Sequence, residues 1–290
     1  MGKVFLSTVL GSCVSAACCH AGIYSGPTDT TNPIDGAIVS GDSRFVQWAD
    51  TIDATRTMFG PEGSPSIDQT GGFNSLGDLS AGEIAGGDSP GFLTVTFPTG
   101  IRNGFGADFA VFENFGAFFS EPLRFAELAY VEVSTNGTDF ARFPSISTNT
   151  ESDLNTDFGR GFAGVDVTNV FNLAGKHEDG FGTPFDLANL IADPLVSNGS
   201  LNLDDIQFVR LVDIPGSGDF LDSQGNGILD PWLTSGTGGF DFRLGEGLGV
   251  GVINAVAIPE PGPFVVIAAF GWVALFKRRN RKTHADGRRQ

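Results

Sequence analysis

The sequence predicts an all-β protein: an antiparallel two-sheet β-sandwich of jelly-roll type, with a loop-rich N-terminal wrap, a signal helix at the N-terminus and a transmembrane helix at the C-terminus. Three observations point there. The 290 residues include 41 Gly, 15 Pro and 27 Phe with only 18% charged, a composition of short apolar segments broken by turns. Several segments alternate apolar and polar residues with a period of two, which puts one face of a strand on a core. Asn136-Gly137 lies between two such segments, and Asn-Gly is the pair preferred where both residues of a hairpin turn take positive φ. No fixed-period repeat occurs, which argues against solenoids and propellers.

The first element, residues 1–21, has one cation (Lys3), an apolar run from Val4 to about Val14 and a small-residue exit at Cys19-His20-Ala21. That is the three-part layout of a secretory signal, with cleavage expected after Ala21. A competing reading is a lipobox at Leu10-Gly11-Ser12-Cys13, which would make a lipidated Cys13 the N-terminus of an anchored lipoprotein. All three cysteines (Cys13, Cys18, Cys19) fall in this segment, so no disulfide staples the body.

Residues 22–91 are rich in Gly, Ser, Thr, Pro and Asp, with one compact cluster at Phe45-Val46-Gln47-Trp48-Ala49, and predict loops and one short helix wrapping the main domain, the loop-rich segment proper being 22–75. The sandwich is expected over 76–257, its strands beginning near Leu76. Phe92–Phe97 and Asp108–Glu113 alternate, Leu128–Ser134 and Asp139–Phe143 flank Asn136-Gly137, and further strands are expected at Ile206–Val212, Phe240–Leu244 and Gly249–Ala257. Asp186 is placed to cap a short helix over Leu187–Ile191. The stretch Val131–Phe140 resembles the central hairpin of galactose-binding-like jelly rolls, a likeness that bears on fold rather than on sugar specificity.

The last element, 258–290, holds the apolar run Phe264–Phe276 followed directly by Lys277-Arg278-Arg279. Counted from Gly262, the run is shorter than the about 20 residues that cross a bilayer core, so a span over 262–276 needs local thinning or snorkelling. The basic tail 277–290 then lies in the cytoplasm and the body outside it. Ile258-Pro259-Glu260-Pro261, the apolar run and the Lys277-to-Arg281 cluster together resemble the PEP-CTERM tail of proteins sorted by exosortases, bacterial membrane proteases associated with exopolysaccharide production. The likeness covers about thirty residues and is specific only as that combination. It implies an exosortase-like protease as partner, cleavage near Pro259-Glu260-Pro261, and release to the cell surface or extracellular matrix. Ile258 stands where the motif usually has Val.

Charge separates the body from both ends. Seven of the 17 basic residues lie in the last fourteen positions and Lys3 in the signal; with Glu260 and Asp286 also set aside, 22–258 keeps 9 basic against 32 acidic groups, a net of −23. Such a surface repels phosphate backbones, which argues against nucleic acid as a partner, while divalent cations and neutral polysaccharide fit it.

Asp222-Ser223-Gln224-Gly225-Asn226-Gly227-Ile228-Leu229-Asp230 follows calcium-loop spacing: Asp222, Gln224, Asn226 and Asp230 offer side-chain oxygens and Ile228 a carbonyl, with Gly at the sixth position. Leu233 stands where an EF-hand has its bidentate Glu, so Asp213 or Asp219 would have to complete the shell. The bland alternative is a turn whose side chains cap their own backbone. Gly175-Lys176-His177-Glu178-Asp179-Gly180 holds the body's one lysine and one histidine and reads as an exposed turn, lacking the second His of a zinc pair. Gly87-Asp88-Ser89-Pro90-Gly91 spells a nucleophile elbow in the wrong context, with a strand following the serine instead of a helix. The glycines at 245, 247, 249 and 251 do not have phosphate-loop spacing. The carboxylate pairs Glu127/Glu132 and Asp204/Asp205 leave an extracellular glycan hydrolase as the alternative to a non-catalytic module, decided by their separation across a groove. Phe115, Phe118 and Phe119 are candidates for a sugar-stacking platform.

Overall fold

The computed structural model describes residues 22–113, 118–234 and 238–257. The signal segment with Cys13 and Ala21, Phe115, and the tail with Pro259, Glu260, Pro261, Lys277, Arg278 and Arg279 lie outside them. Among the described residues no helix is long and apolar enough to cross a membrane.

Two five-stranded antiparallel sheets dominate. The first runs Ile38–Val39, Phe181–Phe185, Phe109–Val111, Val250–Val252, Gln47–Trp48. The second runs Thr51–Ile52, Phe92–Ile101, Ile206–Asp213, Ala129–Ser134, Ala141–Arg142. Their inward faces share one core: Phe109, Val111, Phe185, Val250 and Val252 from the first meet Leu93, Val95, Val131, Val133, Val209 and Leu211 from the second. Phe109 stacks on Phe185 at 5.4 Å between centroids, and Phe143 closes on both edge-on. Burial of each such side chain contributes roughly 1.5–3 kcal/mol, so the sandwich rests on this shared interior.

The predicted strands form where alternation placed them, and Asp186 caps a 3₁₀ turn over Leu187–Leu190 by accepting from the Ala188 N–H. Ala129–Ser134 departs from a one-sided pattern, being buried along its whole length. A second apolar cluster covers its outer face, with Leu128 and Tyr130 packing against Val165, Val167, Val170 and Ile228. On the same strand Glu132 forms ion pairs with Arg142 at 2.8 Å and Arg210 at 3.6 Å, its partners on the two neighbouring strands.

Three expectations need correction. The Phe45–Ala49 cluster belongs to the sandwich and not to a wrap: Gln47–Trp48 is an edge strand pairing with Gly251 and Val252, Phe45 and Trp48 pack on Phe112, and the short helix lies at Ala81–Gly86. Segment 22–75 is therefore not confined to a wrap, since it supplies strands to both sheets well before Leu76. Nor is Asn136-Gly137 a two-residue turn. Only Gly137 has positive φ, at 72°, because the loop is longer and pinned by side chains: Asn136 Oδ1 accepts from the Thr138 and Asp139 amides, and Ser134 Oγ from the Gly137 amide.

Candidate functional site

The predicted calcium loop is the turn of a hairpin between Ser217–Leu221 and Gly227–Leu229. Asp222 spends both carboxylate oxygens on this turn and its neighbour: Oδ1 accepts from the Gln224 and Asn226 amides, Oδ2 from the Ser147 amide and the Asn226 side chain. Burial pushes its pKa up, but the hydrogen bonds from Ser147, Asn226 and Gln224 win and hold the carboxyl below its ordinary value. Gln224 is exposed, Ile228 is in the second core, and Asp230 lies buried beyond the Gly227–Leu229 strand from Asp222. The five residues are thus not brought round one point. Among the described residues no group of three or more His, Cys, Asp or Glu is set to hold a metal ion.

The expectation of an exposed turn at 175–180 is overturned. Lys176 is 0% exposed and His177 2%, because the Ser25–Ala37 segment lies over them. Lys176 Nζ donates to Asp35 Oδ2 at 2.5 Å and to the Val170 carbonyl at 2.6 Å. His177 Nδ1 faces the Pro27 carbonyl at 3.2 Å, which can only accept, so Nδ1 carries the proton and Nε2 faces Ser25 Oγ at 3.4 Å. A Ser–His–Asp grouping results, but every member is buried and Asp35 serves Lys176 and the Ser25 amide. It is a clamp for the N-terminal segment.

Gly87 is the left-handed cap that ends the Ala81–Gly86 helix, with Ser80 and Glu83 forming a capping box at its start. The elbow pattern at 87–91 is therefore a helix end. Gly251 lies flat against Phe45 and Trp48, where an added Cβ would come within 2.7 Å of the Phe45 ring. Close packing accounts for that glycine. Of the acid pairs, Glu132 is tied to its two arginines and Asp204 closes a turn on Asn202.

Glu127 belongs to a different grouping that no local spacing reveals. Asp213 ends the Ile206–Asp213 strand directly opposite Ala129, two residues after Glu127. The Phe240 amide donates to Asp213 Oδ1 at 2.8 Å, which brings in Asp241. The Leu128 amide donates to Asp230 Oδ2 at 3.0 Å, and Thr234 donates twice to Asp78 Oδ2. Glu113 follows the Phe109–Val111 strand and lies in the field of Glu127. Asp78, Glu113, Glu127, Asp213 and Asp230 are all buried. Arg160, the one cation near them among the described residues, gives its guanidinium to the carbonyls of Asp230 and Gly216 and pairs with Glu151 at 3.5 Å. Burial, then the charges of Glu113, Asp241, Asp230 and Asp213, pushes Glu127 well above the carboxylate range. Burial and Asp78 do the same to Asp213 and Asp230, against one backbone N–H each. Holding several such carboxyls together in one buried pocket works against folding unless a proton or a cation is shared among them.

Beside this cluster, Phe125, Phe158, Gly161, Phe162, Leu233 and Thr234 line a cleft of ≈ 400 Å³. Phe158 is 71% exposed, and Phe118 and Phe119 pack on Phe162 at 5.4 and 5.9 Å. Two of the three expected platform rings are thus part of a larger aromatic surface. No family model, curated protein or solved structure matches the chain.

Proposed function

We propose that this chain is an exported envelope or extracellular-matrix protein, sorted by an exosortase-like protease, whose body is a non-catalytic, jelly-roll-like sandwich that binds extracellular polysaccharide and carries calcium. One observation carries the reading: a secretory layout opens the chain, Pro259-Glu260-Pro261, an apolar run and a basic cluster close it, and an acidic, cysteine-free body lies between. The apolar run tethers the body outside the cytoplasm until cleavage releases it. The cleft lined by Phe125 and Phe162, with the exposed Phe158 ring beside them, supports the sugar partner, since an exposed ring stacks on an apolar pyranose face. The engagement of Glu132 with Arg142 and Arg210 supports a binding role over hydrolysis, because one member of the Glu127/Glu132 pair is held by two cations.

Replacing Pro259, Glu260 and Pro261 together by alanine is expected to move the protein in its own host from the surface or matrix fraction into the membrane fraction. Immunoblots of fractionated cells check this. An unchanged distribution contradicts a sorting role for the motif.

A further inference from the structure

We propose that the buried carboxylates at the Asp213 end of the sandwich bind one divalent cation of the calcium class, with Glu127 and Asp213 as its carboxylate ligands. Asp78 and Asp230 supply flanking charge. The site is separate from the hairpin turn at 222–226 and does not depend on how the chain is sorted.

The geometry points to a ligand through two side chains. Glu127 is more than nine-tenths buried, and its carboxylate makes no hydrogen bond or ion pair with the described residues; what surrounds it is the charge of Glu113, Asp241, Asp230 and Asp213. Asp213 is fully buried, and while Oδ1 takes the Phe240 amide, Oδ2 has no hydrogen-bond partner among the described residues. Buried polar atoms are almost always paired, so Asp213 Oδ2, with the buried Glu127 carboxylate in the same acidic pocket, calls for a counter-charge. Arg160 does not supply it, since its guanidinium is turned to two backbone carbonyls.

The backbone is cut to admit these acids. A Cβ at Gly239 would stand 2.4 Å from Asp213 Oδ1, and one at Gly216 would overlap Asp230 Oδ1. Donor chemistry selects the ion. Every candidate ligand is an oxygen, with no thiol in the body and its one imidazole committed to Pro27 and Ser25, which favours a hard cation over zinc or copper. Among the described residues no three carboxylates converge on one point. The ion therefore takes two carboxylates and completes its six to eight oxygens with carbonyls and water, a shell that calcium tolerates better than magnesium.

The test uses the full chain in detergent, stripped with a chelator and returned to neutral buffer, then titrated with calcium chloride or magnesium chloride. Calorimetry should find one calcium per chain, and the Tm should rise by about 5–10 °C once calcium exceeds Kd a hundredfold. Glu127→Gln and Asp213→Asn should each weaken calcium at least tenfold. Both should melt at or above the wild type without calcium, because each removes a buried like charge. Asp222→Asn should keep the calcium response. Two results would overturn the inference: no calcium binding, with a stripped protein whose Tm climbs on acidification alone, which would assign the pocket to shared protons; or a response lost in Asp222→Asn and kept in Glu127→Gln, which would assign calcium to the hairpin.

Discussion

Replacing Asp35 by alanine is expected to destabilise the protein by about 3–5 kcal/mol, the usual cost of stranding one member of a buried ion pair, as read from urea unfolding at pH 7. Lys176 would keep only the Val170 carbonyl and the face of Tyr24, 5.7 Å away. Burial already depresses the Lys176 pKa, and Asp35 is what opposes it. Replacing both members with apolar residues of similar volume, Asp35→Leu with Lys176→Met, should restore stability to within about 1 kcal/mol of the wild type. A double variant as unstable as the single one would place the loss in packing of the N-terminal segment and refute the stranded-charge explanation.

Acidification is expected to cost roughly 4–5 kcal/mol through His177 alone. Burial first, and then the neighbouring Lys176 charge, push its pKa down to about 3, whereas an unfolded imidazole takes its proton near 6.5. Between those values the unfolded chain binds the extra proton, so stability falls as pH falls. Glu127, Asp213 and Asp230 act with the opposite sign: their folded values are raised, so protonation on the way down adds stability until the unfolded carboxyls titrate near 4. The two trends oppose each other in the wild type and separate in a His177→Gln variant. The difference between the two unfolding-versus-pH curves should slope steadily from pH 6.5 to about 3. A flat difference means that the imidazole titrates as if exposed.

Much of the sandwich was legible because its long strands carry the signal themselves. Phe92–Ile101 and Ile206–Asp213 are long enough for alternation to show, and both lie centrally in one sheet. The strands at Ile38–Val39, Gln47–Trp48 and Thr51–Ile52 have two residues each. Two residues have no period, and their conformation is imposed by the partner strand. The burial of 175–180 is hidden for a related reason: a Lys-His pair reads as exposed unless its counter-charge is visible, and Asp35 is 141 residues away. The carboxylate cluster was equally hidden. Asp230 and Asp213 read as parts of the 222–230 loop and Glu127 as a partner of Glu132, but their acids come from strand ends across the chain, and only the register Asp213 to Ala129 and the bond from Leu128 to Asp230 bring them together. One signal was available, an acid bordering an apolar strand, as in Val212-Asp213 and Phe240-Asp241. Conversely, Asp222 to Asp230 offered a tidy local spacing that the hairpin uses for its own turn.

On the function proposed above, the chain is a precursor trimmed at both ends to release an acidic sandwich, and the intact mass of the protein recovered from the surface or matrix of its own host decides whether it is. The predicted mass is that of a chain from Gly22 to about Pro259, without lipid. A mass retaining the apolar run and basic tail, or one beginning at a lipidated Cys13, would contradict it.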